Sequence, residues 1–221
     1  MKLIYISICK VFILLSCSSC IDRPETDDPR TEKIQGTDSL TATDDLQKAQ
    51  DNKPLSTVQD IQQAYTMVSK KLKDGALDSV SFKYSCNNEE NGTVSYFSER
   101  GQLRLIVHRY NEYSHFSATD QYFVKDSTLF FVYKKSILWS FNGPQGSTKD
   151  SITEQRVYLI DQQPIRCLQK TFVIHSHATD NPRSETVTNK EVNCASQKSV
   201  IKPYRLLARY HNNATTGCLE E

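Results

Sequence analysis

Apolar residues recur at Val58, Ile61, Tyr65, Val68 and Leu72, the +3/+4 spacing that lines one side of a helix, and this predicts an amphipathic helix over 57–73. Ser56 or Thr57 can cap its start with Asp60 in the first turn. Lys70, Lys71 and Lys73 suit the C-terminal dipole, and Gly75 supplies the stop. The period then changes to two. Val80, Phe82 and Tyr84 alternate with polar residues, as in a half-buried strand, and three hairpins are predicted to follow. Each hairpin repeats an aromatic residue, an aliphatic one seven residues on, and another three beyond: Tyr96, Leu103 and Ile106; Tyr122, Leu129 and Val132; Tyr158, Ile165 and Leu168. Two-residue turns fit at Arg100-Gly101, Asp126-Ser127 and Gln162-Gln163.

Residues directly opposite on antiparallel strands share a face. Simple two-residue hairpins then gather Val94, Tyr96, Leu103, Leu105 and Val107, Tyr122, Val124, Leu129, Phe131 and Tyr133, and Tyr158, Ile160, Ile165 and Cys167 on the face to be buried under the helix. The reverse face is apolar too, at Phe97, Ile106, Phe123, Phe130 and Val132. A short C-terminal helix around Tyr204–Tyr210, a second sheet layer or a partner could cover it, and if left open it is an interaction face. The expected fold is α+β: one N-terminal amphipathic helix on a mainly antiparallel sheet of consecutive hairpins, with a short C-terminal helix as a candidate.

The first residues have a different pattern. After Met1-Lys2, residues 3–15 are apolar apart from Ser7 and Lys10, too short a run for a helix that spans a bilayer and suited to an export signal. Leu14-Leu15-Ser16-Cys17 resembles the bacterial lipobox, with an aliphatic residue at −3 and a small one at −1 before the cysteine. The resemblance implies cleavage after Ser16 and acylation of Cys17, with two or more chains needed for stable anchoring. Cys17-Ser18-Ser19-Cys20 also has redox C-x-x-C spacing, but it abuts the signal and lacks the βαβ context of that motif. From Ile21 to Pro54 there is no aromatic residue, and nine acidic side chains face five basic ones, so a disordered tether is expected. The expected organisation is a signal peptide over 1–16, lipidated Cys17 and tether over 17–54, one domain over 55–212 and a tail over 213–221.

The remainder of the chain carries 17 acidic and 20 basic residues, a balance that gives no case for nucleic acid. Four cysteines fall in the domain, Cys86, Cys167, Cys194 and Cys218, and suit an oxidising compartment. Cys86 and Cys167 could bond to each other or sit as buried thiols, which leaves Cys194 and Cys218 for a second bridge. Metal-ligand spacing is not found inside the domain, and no metal or other cofactor is expected. G-x-S-x-G, H-E-x-x-H and Walker A sequences are missing as well. His175-Ser176-His177 would set two imidazoles on one side of a strand, but no carboxylate or cysteine is tied to them by spacing.

Lipobox, polar tether and Tyr-containing hairpins together resemble small envelope lipoproteins of Bacteroidota, a group that implies no activity. The run Tyr96-Phe97-Ser98-Glu99-Arg100-Gly101-Gln102-Leu103 is also similar to MORN-like hairpin repeats. Asp38-Ser39-Leu40 resembles the O-glycan acceptor of Bacteroidota envelope proteins, which makes Ser39 a modification candidate. The expected function is that of an envelope lipoprotein, held at the lipid bilayer of the outer membrane through Cys17, with a non-catalytic domain that binds a protein or other ligand. The competing readings are an enzyme assembled from separate strands, with His108, His115 and Glu112 as candidates, and an inhibitor or structural lipoprotein.

Overall fold

The structure, a computed structural model, describes residues 54–220 apart from 88, 144 and 145, with the side chains of 196–198 also left out. The expectations for residues 1–53, including Cys17, Ser39 and the tether, lie outside the described residues.

Helix α1, Val58–Lys73, is closed at both ends by its own sequence. At its start the Asp60 amide donates to Thr57 Oγ1 at 3.1 Å while the Thr57 amide donates to Asp60 Oδ2 at 2.9 Å, a reciprocal cap of about 1 kcal/mol. At its end Gly75, with φ at +68°, lets its own amide reach Leu72 O and the Ala76 amide reach Lys71 O. That is the left-handed stop a glycine permits.

Eight strands follow in one antiparallel sheet whose order is the chain order. They are β1 (Asp78–Cys86), β2 (Glu90–Glu99), β3 (Gln102–Glu112), β4 (Phe116–Lys125), β5 (Thr128–Phe141), β6 (Thr148–Ile160), β7 (Gln163–His175) and the short β8 (Lys190–Glu191). A 3-10 segment, Cys194–Val200, runs into helix α2, Ile201–Arg209. The architecture is α+β, dominated by the sheet. No helix among the described residues is long and apolar enough to cross a membrane.

The β2–β3, β4–β5 and β6–β7 hairpins share one construction. Each turns on two residues with positive φ, at Arg100-Gly101, Asp126-Ser127 and Asp161-Gln162. The third turn therefore lies one residue before the expected Gln162-Gln163. Each hairpin also carries a bulge on its second strand, where Arg104, Phe130 and Ile165 have no partner opposite. An extra residue reverses the alternation beyond it.

That reversal corrects the expected faces. Tyr96 stands opposite Ile106 rather than Leu105, and Tyr122 opposite Val132 rather than Phe131. Tyr96, Ile106, Tyr122, Val132, Val157 and Cys167 thus pack with Tyr204 and Leu207 of α2. Helix α1 packs on Leu105, Val107, Phe131 and Tyr158, as expected, and also on Phe97, Phe123 and Phe130 from the face read as its reverse. The five residues read as an interaction face are split between the two layers: Ile106 and Val132 lie under α2, while Phe97, Phe123 and Phe130 lie under α1. Ile165, expected in the core, is the bulged residue of the third hairpin and is 45 % exposed.

The second layer is fixed by polar bonds as well as by packing. Tyr96 Oη donates to the Leu207 carbonyl at 2.8 Å, which also accepts from the Tyr210 amide at 3.0 Å at the end of α2, and Tyr204 Oη donates to Ser127 O in the second turn. Disulfides join Cys86 to Cys218 and Cys167 to Cys194. The pairing of Cys86 with Cys167 is thereby corrected. Once the third hairpin shifts by one residue, Cys167 faces α2 and meets the segment leading into it, and Cys86 at the end of β1 meets the C-terminal tail.

Candidate functional site

Helix α1 covers only part of its face. Sixteen residues make a helix of about 24 Å, whereas the 14 residues of β5 extend for about 46 Å. The helix lies over the half of the sheet next to the hairpin turns. Beyond it the same face turns polar, and an open cavity of about 570 Å³ lies across β1 to β5.

The register sets the walls of this groove. Lys83 is opposite Thr93, Thr93 opposite Arg109, Arg109 opposite Thr119, and Thr119 opposite Lys135. One row across five strands therefore reads Lys, Thr, Arg, Thr, Lys. The next row on the same face, two residues along each strand, holds Asn91, Asn111, Ser117 and Ile137. Between the rows the floor is formed at Tyr84, Gly92, Tyr110 and Ala118, whose alternation places their side chains on the other face. Gly92 cannot be replaced without movement there. A Cβ would sit 2.6 Å from the Tyr84 ring and 2.7 Å from the Arg109 carbonyl.

Among the described residues no carboxylate lies within ion-pair distance of Lys83, Arg109 or Lys135. Glu154 is next along the row, but it is engaged elsewhere. Its carboxylate is 1 % exposed, accepts from Ser184 Oγ at 2.7 Å and pairs with Lys170 at 3.3 Å and Arg156 at 3.4 Å. Burial alone would raise the Glu154 carboxyl, but the hydrogen bonds from Ser184 and Lys170 and the lysine charge hold it below the usual range. The row is left with three uncompensated cations on alternate strands, about 9–10 Å apart at the backbone.

At the outer end of the same face, Trp139 and Phe141 follow Lys135 and Ile137 by strand alternation. Trp139 packs against His115 at 4.0 Å between centroids, the rings tilted by 35°, and donates its indole N–H to Ser114 O at 2.7 Å. Phe141 meets Trp139 edge-on and is 71 % exposed.

The opposite face carries a buried polar chain. His108 Nε2 lies 2.9 Å from Tyr84 Oη, which itself donates to Glu90 Oε1 at 2.6 Å. With the phenol proton committed to Glu90, the phenol oxygen accepts from a neutral imidazole protonated on Nε2. Burial, with the Lys134 charge adding to it, pushes His108 down to about 4. Burial also raises the Asp120 carboxyl, a trend that Lys134 at 3.3 Å and the Tyr122 hydroxyl at 3.2 Å oppose.

The candidate catalytic residues are not brought together. His108 lies on the α2 face against Tyr84, while His115 packs against Trp139 of the other face. His175 ends β7 and His177 lies beyond it in a left-handed turn, so they do not share one side of a strand. Among the described residues no group of three or more His, Cys, Asp or Glu side chains could hold a metal ion. A cavity between α1 and the sheet, next to Asp60, Lys71 and Arg104, amounts to about 40 Å³, room for a water or two rather than a ligand.

No family model, no curated protein and no solved structure matches the chain. Function is therefore argued from the site itself. The groove was missed by sequence reasoning because its residues come from five strands and become neighbours only through the bulged register. One signal was present: Lys83, Thr93, Arg109, Thr119 and Lys135 are polar positions toward the far ends of strands whose turn-proximal halves are apolar.

Proposed function

We propose that this protein is a lipid-anchored lipoprotein of the bacterial cell envelope whose domain is a non-catalytic binding module, with the cationic groove as its binding surface for an anionic ligand. The observation that carries the binding reading is the row of uncompensated cations, Lys83, Arg109 and Lys135, on a concave polar surface beside α1. Lysine and arginine without carboxylate partners among the described residues attract an anion, and three of them in one row add their fields. The anchoring reading is supported by Leu14-Leu15-Ser16-Cys17 and by two disulfides, which belong to oxidising compartments. On this reading Cys17 holds the chain at the outer membrane, Ser39 carries an O-glycan, and the protein is one of the Bacteroidota-type envelope lipoproteins its sequence resembles.

Two measurements test the proposal. In cells, Cys17→Ala is expected to move the full chain out of the membrane fraction and to remove the mass of the acyl chains; an unchanged mass and location contradict anchoring. Polyphosphate binding by the detergent-solubilised full chain can be followed through Trp139, the sole tryptophan. Lys83→Ala, Arg109→Ala and Lys135→Ala together are expected to weaken binding at least tenfold and to flatten its salt dependence. Equal binding by the triple variant contradicts the groove.

A further inference from the structure

The groove presents two parallel rows with different chemistry. In the first, cations alternate with threonines from strand to strand; in the second lie the amides of Asn91 and Asn111 and the hydroxyl of Ser117. Asn111 Nδ2 stands 3.5 Å from Asn91 Oδ1, so the amides form a contiguous pair with further donor and acceptor positions unused. A site for bare phosphate or a lipid headgroup has no need of the second row. A sugar does, because each ring offers adjacent hydroxyls that both donate and accept.

The pitch points the same way. One ring advances a linear polysaccharide by about one strand spacing, so a polymer lying across the strands with an acid group on alternate rings matches cations on alternate strands, about 9–10 Å apart. Single-stranded nucleic acid is a poorer match, since its recognition relies on aromatic side chains that stack bases. The tyrosines at the groove floor, Tyr84 and Tyr110, belong by alternation to the other face, where Tyr110 stacks on His108 at 4.5 Å.

We propose that the groove binds an acidic polysaccharide laid across β1 to β5, its acid groups against Lys83, Arg109 and Lys135 and its hydroxyls against Asn91, Asn111 and Ser117. This rests on the reading of the groove as the binding surface and adds the class of ligand. Arg109, exposed at the centre of the row, forms a paired contact with a carboxylate, and Thr93 and Thr119 beside it donate to ring or acid oxygens.

Calorimetric titration of the full chain in a neutral detergent tests the proposal, with hexasaccharides of hyaluronan and of polygalacturonate, neutral maltohexaose, polyphosphate and anionic phosphatidylglycerol vesicles as probes. At least one acidic hexasaccharide is expected to bind ten times or more tighter than maltohexaose. Arg109→Ala is expected to weaken that binding about tenfold and reduce its salt dependence. Asn111→Ala is expected to weaken it severalfold with the salt dependence unchanged, a split that general charge attraction does not produce. Unchanged thermal unfolding of both surface variants separates these effects from misfolding. Binding of polyphosphate or vesicles that depends on Arg109 but is indifferent to Asn111, without binding of either acidic hexasaccharide, overturns the polysaccharide and leaves an anion site. Failure of every probe overturns both the ligand class and the groove.

Discussion

His108 is 8 % exposed, and its neutrality has a thermodynamic cost at low pH. Its folded value of about 4 lies below the value near 6.5 of an unfolded chain, so the unfolded state takes up the proton first. Stability from this residue is complete above about pH 6.5 and falls as the pH drops to about 4, below which the difference is constant. Glu99 and Glu154 act in the same direction at lower pH. For Glu99, burial would raise the carboxyl, but the hydrogen bond and charge of Lys71, with Arg104 adding, hold it below its usual range. Asp120, raised by burial, acts in the opposite direction in the acid range. Thermal unfolding across pH 7 to 4 isolates the histidine: His108→Gln still donates to Tyr84 but does not titrate, and its melting temperature is expected to fall less over this range than that of the parent. Parallel curves contradict the assignment.

The elements are written into the sequence unevenly. Helix α1 is legible because its cap, its apolar stripe and Gly75 agree, and the strands because their alternation is strong. The bulges at Arg104, Phe130 and Ile165 are not, since an unpaired residue has no signature of its own in a strand of mixed polarity. One extra residue then sends Tyr96 and Tyr122 to the opposite layer from Leu105, Val107 and Phe131, with which simple hairpins group them. The bulged residues also differ in use. Phe130 packs under α1, and Arg104 pairs at 3.4 Å with Glu99, which also holds Lys71 of α1 at 2.7 Å. The third turn was displaced because Asp161-Gln162 and Gln162-Gln163 are both poor turn pairs by composition. The second turn offers the test of this geometry. Asp126 and Ser127 both have positive φ, at 48° and 61°, which Asn-Gly adopts at lower cost. Replacing them with Asn-Gly is expected to stabilise the domain by about 1 kcal/mol and raise its melting temperature by about 2–4 °C. A loss of stability contradicts the turn as described.

In the molecule as a whole, two layers cover two faces of one sheet, and both disulfides hold the C-terminal layer. Cys86–Cys218 spans 132 residues and Cys167–Cys194 spans 27. By loop-closure entropy they stabilise the fold by about 5 and about 3.5 kcal/mol. The double variant Cys86→Ser/Cys218→Ser is therefore expected to lose more stability than Cys167→Ser/Cys194→Ser. It should also free the tail, with faster hydrogen exchange at the Ser85 amide, which donates to Thr216 O at 3.1 Å. The reverse order of stability contradicts this account of the bridges. The pairing itself was out of reach of parity arguments, because it depends on where the tail and the segment before α2 cross the sheet.

Among the described residues, helix α1 leaves the polar end of β1 to β5 uncovered, and the proposed function rests there. Its most direct test is the map of backbone amide shifts in the isotopically labelled full chain, in neutral detergent, as polyphosphate is added. The account predicts that the largest changes fall at Lys83, Thr93, Arg109, Thr119 and Lys135. Changes confined to the other basic surfaces, Lys70 and Lys73 at the end of α1 or Lys202 and Arg209 on α2, would contradict it.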